Sequence, residues 1–98
     1  MSVKDRITTT LEQALKPDSL AVHDESHQHA GHGGWREGGE THFRVEIVAG
    51  AFIGKSRVER HRMINTLLAG ELADRVHALA LSTRTPEEAA ALRAATGG

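Results

Sequence analysis

Ninety-eight residues, 39% of them hydrophobic and only three aromatic (Trp35, Phe43 and Phe52), suffice for a single domain over 1–98 with a modest, mostly aliphatic core. A formal net charge of −1 excludes a bulk electrostatic drive toward nucleic acid or anionic membrane and leaves room only for local basic patches. The absence of cysteine excludes disulfides and thiolate ligands; with no apolar run near the ~20 residues of a membrane span and a polar N-terminus, a soluble cytoplasmic protein is expected.

Residues 3–15 read as an amphipathic helix, with Val3, Ile7, Leu11, Ala14 and Leu15 on one face and Ser2 as N-cap with Asp5 three residues on. Pro17 ends it. Residues 20–25 (LAVHDE) alternate as a first strand, with Leu20 and Val22 on one face. A loop over 26–41 follows, rich in glycine and expected to be flexible. Residues 42–49 (HFRVEIVA) give the clearest strand: Phe43, Val45 and Ile47 face one way, Arg44 and Glu46 the other. Gly50 and Gly54 flank the turn AFIG. Ser56 and Glu59 then form a capping box for a helix at about 57–69, with an apolar stripe of Ile64, Leu67 and Leu68. Gly70 suits its C-terminus, and Glu71–Asp74 adds a short turn. Residues 76–82 (VHALALS) read as a third strand, with His77, Leu79 and Leu81 on one face. Thr85, Pro86 and Glu88 open a last helix, and the tail 96–98 should fray.

The order is therefore α-β-β-α-β-α. A loop joins strands 1 and 2, which should be antiparallel; a helix joins strands 2 and 3, which should be parallel through a right-handed crossover. The helices gather on one face of a three-stranded mixed sheet, an α+β two-layer domain. We find no internal repeat.

Five of the seven histidines, His23, His27, His29, His32 and His42, fall in or beside the glycine-rich loop. Imidazole nitrogen suits zinc, iron, copper and nickel, so the cluster is a candidate for metal ligation; solvated loop histidines are the plainer alternative. With strands 2 and 3 parallel, His42 and His77 open neighbouring strands at one end of the sheet, and the 26–41 loop hangs over that end. One anchored imidazole, His77, then meets adaptable ones at His27, His29 and His32; a satisfied, partly buried His77 is the alternative. At the opposite end, Lys55, Arg57, Arg60 and Arg62 surround the start of the middle helix, a candidate for phosphate or nucleic-acid contact, though exposed arginines are usually solvated or paired. His61 reads as structural. No catalytic motif emerges, neither a nucleophile elbow, a phosphate-binding glycine loop nor HExxH, so no enzyme is expected.

The segments LAVHDES, THFRVEIV, FIGKSRVERHRMI and VHALALSTRTPEE, in this order, resemble the BolA family from about Asp5 to Glu88. The resemblance implies a fold similar to the class II KH domain. It further implies partnership with a monothiol glutaredoxin in a heterodimer sharing a [2Fe-2S] cluster, for iron–sulfur trafficking or for iron and redox regulation. One cysteine would come from the glutaredoxin and one from its glutathione, with the remaining ligands from this chain. The family's VHAL ligand falls on His77, and its loop ligand falls on His29. This loop is longer and richer in histidine and glycine than the family pattern, so His27 and His32 are alternatives. Some bacterial members are described as DNA-binding transcriptional regulators in stress responses, for which Lys55, Arg57, Arg60 and Arg62 are the candidates here. A mononuclear zinc or nickel site built from loop histidines is a third reading. With few ligands of its own, the isolated chain is expected to hold no cofactor tightly and to be a monomer or weak homodimer.

Overall fold

The computed structural model describes residues 2–25, 42–74, 76 and 78–95. Helix α1 (Val3–Leu15) opens on the expected capping box: the Asp5 amide donates to Ser2 Oγ at 3.1 Å, and the Ser2 amide donates to the Asp5 carboxylate at 3.2 Å. These bonds hold the Asp5 carboxyl below the usual carboxylate range. Its apolar stripe buries Val3, Ile7 and Leu11, each worth about 2 kcal/mol of transfer free energy; Ala14 stays exposed. The helix ends at Lys16, which is left-handed (φ 45, ψ 58) and donates its N–H to the Glu12 carbonyl at 3.0 Å.

The three strands are β1 (Ser19–Asp24), β2 (His42–Val48) and β3 (Ala78–Arg84), in the order β1-β2-β3. β1 pairs antiparallel with β2, from Ser19 opposite Val48 to Asp24 opposite Phe43. β2 pairs parallel with β3, from His42 beside Ala78 to Val48 beside Arg84. The alternation along β2 has the predicted phase: Phe43, Val45 and Ile47 are buried against the helices, while Arg44 and Glu46 are exposed. Arg44 pairs with Glu25 on that open face.

After β2 a 3-10 turn (Gly50–Phe52) drives Phe52 fully into the core, and Gly54 takes φ +80 to turn the chain into the next helix. Helix α2 (Arg57–Leu67) carries the Ser56–Glu59 capping box, with bonds of 3.2 and 3.0 Å. The sequence reading ended this helix at Gly70, but the chain breaks at Leu68 and restarts as α3 (Ala69–Ala73), which contains Gly70. Leu68, 2% exposed, holds the junction in the core, accepting the Leu72 amide and donating to the Ile64 carbonyl. Leu67, expected in the stripe, turns outward at 36% exposure. Arg6 clamps α3 to α1 through a two-pronged pair with Glu71 at 2.8 and 3.2 Å.

β3 ends two residues later than predicted, because the parallel ladder with β2 carries it through Ser82, Thr83 and Arg84. Helix α4 (Pro86–Ala95) begins on the Thr85–Glu88 box, at 2.9 and 3.1 Å, and buries only Ala89. The core lies between α1, α2 and the inner sheet face, with Ile7, Leu11, Val45, Ile47, Phe52 and Ile64 almost wholly enclosed.

Candidate functional site

The described residues that flank the two halves of the predicted metal site border one end of the sheet. β1 ends there, where the Glu25 amide donates to the His42 carbonyl at 2.8 Å and closes the base of the connection between β1 and β2. His42, 6% exposed, opens β2 directly beside Ala78, the first residue of β3. Parallel pairing thus sets the described residues flanking the candidate ligands, Glu25 and His42 on one side and Val76 and Ala78 on the other, at the same rim. The ligands themselves, His27, His29, His32 and His77, lie outside the described residues, as do the loop 26–41 and the tail 96–98. Among the described residues, no group of three or more histidine, aspartate or glutamate side chains is placed to hold a metal ion.

At the opposite end the four basic candidates occupy three different environments. Lys55 and Arg62 border an apolar groove of about 520 Å³ between α1 and α2, floored by Leu15 and Met63. Arg57 is exposed and lines a smaller cleft against β3. Arg60 is structural. Its side chain is 11% exposed and lies 5.9 Å from the centroid of the Phe52 ring. It donates to the Lys55 carbonyl (2.9 Å) and the Thr83 carbonyl (3.2 Å), and grips Glu88 with two bonds of 2.6 and 3.2 Å. One guanidinium therefore joins the turn, α2, β3 and α4. Arg60 and the Thr85 amide stabilise the ionised Glu88 carboxylate and pull its pKa from 4.5 to about 2. His61, read as structural, is half-buried, and its Nε2 has no hydrogen-bond partner among the described residues.

A family profile described as BolA-like protein matches residues 11–88. The chain belongs to the BolA family. Among its relatives, SufE-like protein 1 of Arabidopsis thaliana is 49% identical over 87 residues, covering 85% of this chain and 24% of the plant protein. BolA-like protein 1 of Pongo abelii is 49% identical over 86 residues, covering 88% of this chain and 60% of the relative. This BolA-family chain thus spans only part of those proteins. The solved BolA domain of SufE1 from Arabidopsis thaliana superposes with a TM-score of 0.81 at 48% identity, covering 90% of this chain and 96% of that one. The α+β fold with a three-stranded mixed sheet, expected from sequence, is the fold of that BolA domain.

Two features of this BolA domain escaped the sequence reading. The structural task of Arg60 depends on Glu88, 28 residues away, and no local pattern announces that pair. Arg84, Ser82 and Thr83, placed beyond or at the end of the expected strand, sit within β3 and line the cleft with Arg57. Their polar run after an apolar one was the available signal: an edge strand tolerates it.

Proposed function

We propose that this chain is a non-catalytic partner of a monothiol glutaredoxin, sharing a [2Fe-2S] cluster with it and its glutathione. His77 and one loop histidine, His29 with His27 and His32 as alternatives, are the ligands from this side. The observation that carries the reading is the parallel register of β2 and β3, with His42 beside Ala78. It brings the sequence neighbours of His77 and both ends of the histidine-bearing connection to one rim. The donor chemistry supports it as well. Imidazoles can replace two thiolates on one iron of such a cluster, and a chain with no cysteine must leave the remaining thiolate ligands to its partner. When bound, the cluster supplies redox-active iron and labile sulfide. This chain's contribution is to place nitrogen donors and to orient them on the sheet rim. As far as membranes are concerned, no helix among the described residues is long and apolar enough to cross one.

Reconstitution tests this directly. The chain, a monothiol glutaredoxin, iron, sulfide and glutathione should give a heterodimer with a [2Fe-2S] visible circular dichroism spectrum. His77→Ala should alter that spectrum and weaken the heterodimer. Identical spectra and cluster lifetimes for wild type and His77→Ala would overturn the assignment. Calorimetric titration of the isolated chain with zinc or nickel separates this reading from a mononuclear site, which needs no partner.

A further inference from the structure

We propose that two copies of this chain pair reciprocally, the exposed face of α4 on each copy filling the apolar groove between α1 and α2 on the other. The pairing goes beyond the cluster reading and uses none of its candidate ligands.

The groove comes first. Glu59, Arg62, Met63, Thr66 and Leu67 recur three or four residues apart, so α2 lines the groove with one continuous face; Ala14 and Leu15, at the end of α1, line it from the other side. The hollow holds about 520 Å³. Its apolar members do not close it: Ala14 is exposed, and Leu67 is 36% exposed. Removing such surface from water is favourable, and a groove between two helices suits the apolar face of a third.

The complement is α4. Its first turn is anchored, because Arg60 grips Glu88 and Ala89 is buried. Every residue from Ala90 to Ala95 is exposed, Leu92 at 47%. Ten residues make a helix that is marginal in water, and helices of this length are held chiefly by packing an apolar face. Ala91, Leu92 and Ala95 form such a face, and within one chain it stays in the open. Leu67 and Leu92 are two of the four large apolar side chains that the described residues leave exposed, and the pairing covers both.

Charge selects the occupant. Lys55 and Arg62 border the groove, and neither forms an ion pair among the described residues. Glu59, the groove's carboxylate, accepts the Ser56 amide at 3.0 Å, and the lining keeps a net charge of +1. Glu12 and Lys16 of α1 border a separate cleft. On α4, Glu87 stands one turn before Ala91, is exposed, and forms no ion pair among the described residues. Arg93 lies on the opposite side of that helix from Ala91 and Ala95. A second copy therefore brings one uncommitted carboxylate with its apolar face, and a two-fold axis makes the contact twice.

The test is self-association of the full chain, followed by sedimentation equilibrium and by dilution in proton–nitrogen NMR from about 1 mM to about 10 µM, the range of a small interface. The expected result is a monomer–dimer equilibrium with dilution shifts at the amides of Leu15, Met63 and Leu67 and of Ala91, Leu92 and Ala95. Leu67→Asp and Leu92→Asp should each weaken the dimer about tenfold or more. Val58→Asp, exposed on α2 outside the groove, should change it by less than about twofold. Glu87→Lys and Arg62→Glu should each weaken it, and the two together in one chain should restore it. Far-UV circular dichroism confirms that each variant is folded. Mixing the Leu67→Asp chain with the Leu92→Asp chain decides the arrangement. Each mixed dimer keeps one intact groove filled by one intact α4, so the mixture should associate more strongly than either variant alone. A monomer at every concentration would leave the groove to a helix of another protein and overturn the pairing. Dilution shifts centred on the β3 edge, or no gain on mixing, would overturn it as well.

Discussion

At the scale of single residues, two side chains carry more than their exposure suggests. Lys16 ends α1 in the left-handed region, where a side chain costs roughly 1 kcal/mol and glycine costs little. Lys16→Gly should therefore stabilise the domain by about 0.5–1 kcal/mol, read as a raised urea midpoint at unchanged slope; a lower midpoint would contradict the strain. The sequence showed that Pro17 stops the helix, but the stopping geometry is set by the Glu12 carbonyl that Lys16 caps, which no single-residue preference reveals. Arg60 is the other. Arg60→Lys keeps the charge but loses the fork that reaches Lys55, Thr83 and Glu88 together. It should cost about 2 kcal/mol, whereas Arg57→Lys should stay within about 0.5 kcal/mol. The Glu88 pKa, lowered from 4.5 to about 2, adds a pH signature. Between these values the folded chain binds fewer protons than the unfolded one, so the Glu88 contribution is complete above 4.5 and is lost as pH falls toward 2. Glu88→Gln should flatten that segment of the stability–pH curve, measured by thermal melts across the window.

At the scale of elements, short-range chemistry was legible and long-range chemistry was not. Three capping boxes, Ser2–Asp5, Ser56–Glu59 and Thr85–Glu88, place helix starts from residues three apart, and all three form. The alternation of Phe43, Val45 and Ile47 fixes the buried face of β2 without help from elsewhere. The break at Leu68 is different. Glycine at position 70 signalled an end, but burial of Leu68 sets the bend two residues earlier, and α3 continues through the glycine because Glu71 is tied to Arg6 on α1. β3 likewise runs two residues past its apolar stretch because its ladder partner β2 continues to Val48. Of the candidate site, the sequence supplied the histidines, the basic cluster at the other end, and the strand directions that bring Glu25, His42 and Ala78, neighbours of the histidines in sequence, to one rim. It did not reveal that Lys55, Arg57, Arg60 and Arg62 separate into three environments, since that division depends on distant packing against β3 and α1.

At the scale of the whole molecule, one core is shared by α1, all three strands, the 3-10 turn and α2. None of these elements can leave without exposing its neighbours, so their unfolding should be a single cooperative transition. Leu11, fully buried on α1, tests this. Leu11→Ala should cost about 2–5 kcal/mol, a large share of the roughly 5–15 kcal/mol that holds such a domain together, with an unchanged urea slope. A biphasic melt would instead show α1 detaching alone.

The side-by-side run of β2 and β3 has one more corollary. Seven extended residues reach about 23 Å, nearly three times the ~8 Å over which exposed charges feel one another at physiological salt. Whatever docks at the rim marked by Glu25, His42 and Ala78 therefore lies beyond electrostatic reach of Val48 and Arg84 at the far end of the ladder, so a change of charge there, such as Arg84→Gln, should leave docking at the rim unaltered.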